Sequence, residues 1–185
     1  MVSSTCSGLD ARARAARSYD GSIAIAIHAF PPIPQKELSM EPRADFYKAS
    51  PDATKAMIAL DAAVSKLGLE PLLLDLVKLR ASQINGCAFC VDLHSADARK
   101  KGESERRLYS VSTWRETPFF TPRERAALAW TESVTLVAST HVPDADYAIL
   151  SEQFTEKERV DLTTAIAMIN AWNRLAISFR KMPSA

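Results

Sequence analysis

The chain has almost no net charge. Its 23 Lys and Arg stand against 22 Asp and Glu, a formal +1. A nucleic-acid binder carries a basic excess or stripe, so that class of partner is not expected. Long apolar runs are also missing: nothing approaches the ~20 residues of a membrane span. The longest candidate, Ile23 to Pro34, is broken by His28 and three prolines. Cysteine is scarce, with three in 185 residues. An odd and sparse set cannot build a disulfide framework, and the expected setting is reducing and cytoplasmic. No short-period repeat of the solenoid kind occurs. What remains is a chain with 47% hydrophobic and 24% charged residues, which argues against disorder throughout. At about 150 residues per domain this is one domain. It is large enough to bury roughly two thirds of its unfolded surface without a structural metal.

Residues 1–39 differ from the rest. They hold Gly8, Gly21, Pro31, Pro32 and Pro34, and an Arg/Ala stretch from Ala11 to Arg17. Ser22 to His28 alternates like a short strand, but no partner strand follows downstream, and a lone strand is not stable. A secretory signal fits poorly, because Asp10 precedes the first basic residue and prolines follow the apolar part. The expectation is a poorly structured N-terminal extension, with Met40 as an alternative start. Residues 40–185 then form the folded domain.

From residue 40 on, the strong signals are helical. Ser50 followed by Pro51 opens a helix, with Met57, Leu60, Val64 and Leu67 on one face. Pro71 opens a second helix to Ile84, apolar on most sides and therefore expected at the centre. Asn85 and Gly86 break it. A third helix runs from about Cys87 to Lys101, where Gly102 ends it, and a short fourth covers Glu105 to Ser112. Thr121 with Glu124, and Thr155 with Glu158, are capping boxes. The first opens a helix to about Ala138 and the second a long one to about Arg180. A shorter helix lies between them, from Pro143 to near Phe154. These signals predict an all-α fold of roughly five to seven helices.

The chemistry concentrates in Cys87-x-x-Cys90, with His94 one turn on. Cysteines three apart on a helical turn put both sulfurs on one face. The Asn85-Gly86 break places them at a helix N-terminus, where unpaired N–H groups and the helix dipole favour a thiolate. By that argument Cys87 is the more acidic thiol. His94 shares the face and can accept or pass a proton. A lone C-x-x-C is also compatible with inert core cysteines or half a zinc site. Zinc needs four ligands, or three plus water. The chain offers Cys87, Cys90, His94 and Asp75, with no second C-x-x-C. The glycine break and the histidine favour redox chemistry, so no metal or other cofactor is expected. Cys6 is read as a bystander thiol, His28 as incidental and His141 as a loop histidine. Trp114 and Trp130 read as core or interface anchors, and Asn170 to Arg174 as a buried polar cluster or subunit contact.

The stretch Leu79 to His94, LRASQINGCAFCVDLH, resembles the alkylhydroperoxidase AhpD-like group of the carboxymuconolactone decarboxylase superfamily. Trp114-Arg115-Glu116, Phe120, Glu124 to Leu128, Thr135 and Ile169 to Arg174 extend the likeness, which covers about residues 40–180. The resemblance implies an all-helical protein, assembled as trimers or hexamers, that reduces hydrogen or alkyl hydroperoxides. It implies that Cys90 attacks the peroxide and that Cys87 resolves the sulfenic acid as a disulfide. That order runs against the helix-terminus argument. It further implies that His94 works through a water with an acid twelve residues before the first cysteine, which is Asp75 here in place of glutamate. A second histidine found between the cysteines in some members is Phe89. The implied reductant is a lipoyl-bearing or thioredoxin-like dithiol. Decarboxylation, the superfamily's other chemistry, has no use for the C-x-x-C. A general dithiol oxidoreductase or redox sensor without efficient peroxide turnover is the alternative.

Overall fold

A computed structural model describes residues 41–183. The expectations for the extension at 1–39, including Cys6 and His28, fall outside the described residues. The described chain is helical throughout: α1 (Phe46–Ala49), α2 (Pro51–Val64), α3 (Pro71–Asn85), α4 (Ala88–Lys100), α5 (Glu105–Ser110), a 3-10 stretch (Val111–Glu116), α6 (Pro122–Thr135), α7 (Val137–Thr140), α8 (Asp144–Gln153) and α9 (Glu156–Ser178). The count exceeds the expected five to seven because two one-turn helices, α1 and α7, carry too few residues for a periodic signal. The break at Leu136 also cuts α7 off the end of α6.

The all-round apolar character of α3 has a direct cause. One of its faces puts Leu73, Leu74 and Val77 into a core shared with α6, α8 and α9, through Ala127, Leu150, Leu162 and Ile166. The opposite face puts Leu76 and Leu79 into a second core with Leu108, Val111, Trp114, Phe120 and Leu128. Burying each leucine contributes roughly 1.5–3 kcal/mol, so α3 is the axis on which both cores depend. Trp114 and Trp130 are core residues, as their type suggests. By contrast α2 buries little beyond Thr54 and Val64, and Leu60 from its expected inner face stays exposed.

Both capping boxes form. Thr121 accepts from the Glu124 N–H while the Glu124 carboxylate accepts from the Thr121 N–H, and Thr155 and Glu158 do the same at α9. The boxes are tied to distant helices by arginines. Arg107 on α5 donates to Glu124 at 2.5 Å, and Arg123 on α6 donates to Glu158 at 2.6 Å and to Glu70 at 2.8 Å.

Removing the cap of the longest helix should therefore register globally. Thr155→Ala should lower the unfolding free energy in a urea titration by about 1 kcal/mol. The Thr155 N–H, then Arg123, hold the Glu158 carboxyl down to about 2 from 4.5. A depressed folded-state value contributes stability above the unfolded value and loses it as pH falls through the folded one. Wild-type stability should thus drop between those two pH values more steeply than that of Glu158→Gln.

Candidate active site

The end of α3 and the start of α4 form one continuous device. Gly86 takes a left-handed conformation, φ 71°, which a residue with a side chain adopts only under strain. This turn lets the Gly86 N–H reach the Gln83 and Ser82 carbonyls, and the Cys87 N–H reach Ser82 at 3.0 Å. Cys87 then occupies the N-cap of α4, and its Sγ accepts the Cys90 N–H at 3.4 Å. The sulfur fills the position that serine or aspartate usually takes at a helix start. Both cysteines are free thiols and both are buried.

The two thiols are unequal. The Cys87 thiol is lowered to about 7 from an ordinary 9.0, first by a hydrogen bond from Cys90 and further by the Cys90 N–H and the Asn173 side chain. Cys90 is pushed up, because it is the donor in that S–H···S⁻ contact and is also buried. Of the two, Cys87 is therefore the thiol that ionises first. This agrees with the helix-terminus argument about acidity.

Access favours the other sulfur. A cavity of ≈190 Å³ opens onto Cys90 and His94, between walls of Phe46, Tyr47, Phe89, Leu93 and Trp172. Cys87 is outside its lining. His94 is buried, and its Nδ1 has no hydrogen-bond partner in the protein. Burial first, and then the Lys78 ammonium, lower the imidazole to about 4. It is therefore neutral at physiological pH, with Nδ1 open to a hydrogen bond.

The fourth expected member, Asp75, is ion-paired. Asp75 is buried on α3 and accepts from Lys101 Nζ at 2.6 Å, an ion pair across α3 and α4. Its carboxyl is raised by burial, with Lys101 opposing. The acid that lines the cavity beside His94 is Asp61 of α2, which accepts from Lys78 at 2.9 Å. Arg80 pairs with Glu132, in keeping with its poor alignment to the Asp75 face. Among the described residues, no group of three or more His, Cys, Asp and Glu is placed to hold a metal ion.

Three contributors carried no local sequence signal as site residues. Asp61 and Lys78 lie seventeen positions apart. Asn173, more than eighty residues beyond the cysteines, lies one turn before Ala176, which clusters with both of them. His141 is exposed in the loop after α7, as expected.

Comparisons with known proteins converge on one family. A model of the carboxymuconolactone decarboxylase family matches residues 51–133. The uncharacterized protein YdfG of Bacillus subtilis is 40% identical over 139 residues, spanning 75% of this chain and 95% of that protein. A crystal structure from Agrobacterium tumefaciens superposes with a TM-score of 0.77 at 46% identity, over 78% of this chain and 99% of the other. That protein is described as of unknown function and as a candidate antioxidant defence protein AhpD. An uncharacterized peroxidase-related protein from Ralstonia eutropha, with an alkylhydroperoxidase AhpD core, matches at TM-score 0.66 and 27% identity over 75% of this chain and 74% of the other.

The unequal thiols can be read directly. Ultraviolet thiolate absorbance of the reduced protein should rise with a midpoint near 7, not near 9. In Cys87→Ser that step should vanish. A single step near the ordinary thiol value in the wild type would contradict the assignment.

Proposed function

The chain belongs to the carboxymuconolactone decarboxylase family, in its AhpD-like group, and from that premise we propose that it is a thiol-dependent peroxidase. It would reduce hydrogen or alkyl hydroperoxides through a Cys87/Cys90 dithiol–disulfide cycle. The observation that carries this reading is a free dithiol whose outer sulfur, Cys90, shares an apolar cavity with a neutral histidine.

The steps balance as follows. Cys90 passes its proton to the Cys87 thiolate or to His94, and its sulfur attacks the distal oxygen of the hydroperoxide. The O–O bond breaks, the alkoxide takes up the proton and leaves as alcohol, and Cys90 becomes a sulfenic acid. The Cys87 thiolate attacks the Cys90 sulfur, and the hydroxyl group leaves as water with a proton taken from solvent. The protein is oxidised by two electrons and the peroxide reduced by two. An external dithiol, lipoyl-bearing or thioredoxin-like, returns the disulfide to two thiols.

Cavity access supports Cys90 as the attacking sulfur although Cys87 ionises first. A proton shift of one S···S contact converts one arrangement to the other. The low-lying Cys87 thiolate instead favours the second reading, a general dithiol oxidoreductase, since thiol–disulfide exchange also runs on a thiolate. The exposed apolar side chains of α2, among them Ile58 and Leu60, support assembly of several copies.

Peroxide consumption with a lipoyl or thioredoxin-like reductant tests the proposal. Cys90→Ser should abolish it, and full activity in that variant refutes the assigned nucleophile. His94→Ala should slow the reaction by about 10²–10⁴-fold, the range for a lost general base, and an unchanged rate removes His94 from the mechanism. A wild type that exchanges with disulfides but leaves peroxide untouched favours the oxidoreductase.

A further inference from the structure

We infer that Asn173 of α9 is a working part of the dithiol centre: its side-chain amide is locked with the N–H edge toward the sulfurs, where it holds the thiolate. This rests on reading Cys87 and Cys90 as a reactive pair, but not on any one substrate.

The lock is a chain of hydrogen bonds with fixed polarity. An asparagine amide can turn over, so the direction of its donors has to be argued from its partners. The start is the Ile166 carbonyl, which can only accept. It takes the Asn170 Nδ2 at 2.9 Å, and that fixes Asn170. The Asn170 Oδ1 therefore accepts, and its partner is Asn85 Nδ2 at 2.9 Å. With its donor end defined, Asn85 also donates to Asn173 Oδ1 at 2.8 Å. The opposite end of Asn173, its Nδ2, is left to donate.

A second pin agrees with the first. The Ser82 hydroxyl donates to the Lys78 carbonyl at 2.7 Å, so toward Asn173 it offers a lone pair, and it accepts Asn173 Nδ2 at 3.0 Å. One N–H of Asn173 is used there. The other N–H is left for the dithiol: Ala176, one turn further along α9, clusters with Cys87 and Cys90, and the Asn173 side chain lowers both thiols in the sense that favours the charged form. Asn173 is wholly buried, so water does not compete for that N–H.

Few other groups could hold the charge. The titratable groups around the pair are His94 on α4, which is neutral, Tyr47 on α1, and the Lys78–Asp61 ion pair across the cavity. Lys181 lies over the Phe89 ring rather than on a sulfur. The anion is held by neutral donors: the Cys90 thiol first, then the Cys90 N–H at the helix start and the Asn173 amide. Hydrogen bonds to an ionised acceptor are the stronger kind, and an oriented buried donor loses no freedom when the charge appears.

The test reads the thiol directly. In Asn173→Ala the midpoint of the thiolate absorbance should move up by about one pH unit, the size of one charged hydrogen bond. Thr135→Val cuts the same buried network at its far end, where Asn170 donates to Thr135, and should lower stability while leaving the midpoint in place. A midpoint unchanged in Asn173→Ala, or moved equally by Thr135→Val, overturns the inference. Wild-type protein gives a readout that needs no variant. The Asn173 side-chain amide resonances should shift with the same midpoint as the thiolate and shift again on oxidation to the disulfide. Resonances that ignore both events overturn the inference as well. A wild type inert to peroxide would refute the proposed peroxidase and leave these titrations standing.

Discussion

The start of α4 lacks the serine, threonine or aspartate that commonly satisfies the first amides of a helix, and the Cys87 sulfur takes that place. The arrangement makes one atom both a structural cap and the site of negative charge. A thiolate at a helix N-terminus is favoured by the same N–H groups that need an acceptor. The left-handed Gly86 is required to bring the chain from α3 into that position, and a side chain at this φ would strain the turn.

The rest of the molecule holds this junction in register. α3 is buried on opposite faces, so its C-terminal end is set by two separate cores. α9, opened by its own capping box, delivers Asn170 and Asn173 to the other side of the junction, where Asn85 links them. α4 is tied back to α3 by the Lys101–Asp75 ion pair. Rigid elements, rather than loops, thus carry each of the groups around the dithiol. This suits a centre in which sulfur atoms must exchange a bond without rebuilding their surroundings.

Much of this was legible in the sequence because it is local. Both capping boxes, the glycine after α3, the helix that starts at the cysteines and the His94 register follow from residues within a turn or two of one another. The split of the thiols could also be read from the helix-terminus argument, which assigned the lower value to Cys87. What escaped is what packing decides. Asp75 is ion-paired with Lys101, twenty-six residues on, a contact that no local pattern announces. Asp61 enters the cavity from α2, a helix whose apolar face reads as core but stays largely exposed. Asn173 resembled a structural residue, because its partners Asn85 and Ser82 lie more than eighty positions away. One-turn helices such as α1 were invisible for a simpler reason: four residues cannot display a period.

The central claim is that this dithiol spends two electrons on one peroxide bond. The most direct check is a single-turnover titration of the fully reduced protein with an organic hydroperoxide, without any reductant, followed by peptide mass analysis. The expected result is that one equivalent of hydroperoxide yields one equivalent of alcohol, and that each protomer gains one Cys87–Cys90 disulfide. If the hydroperoxide survives while Cys87 and Cys90 remain thiols, the claim is contradicted.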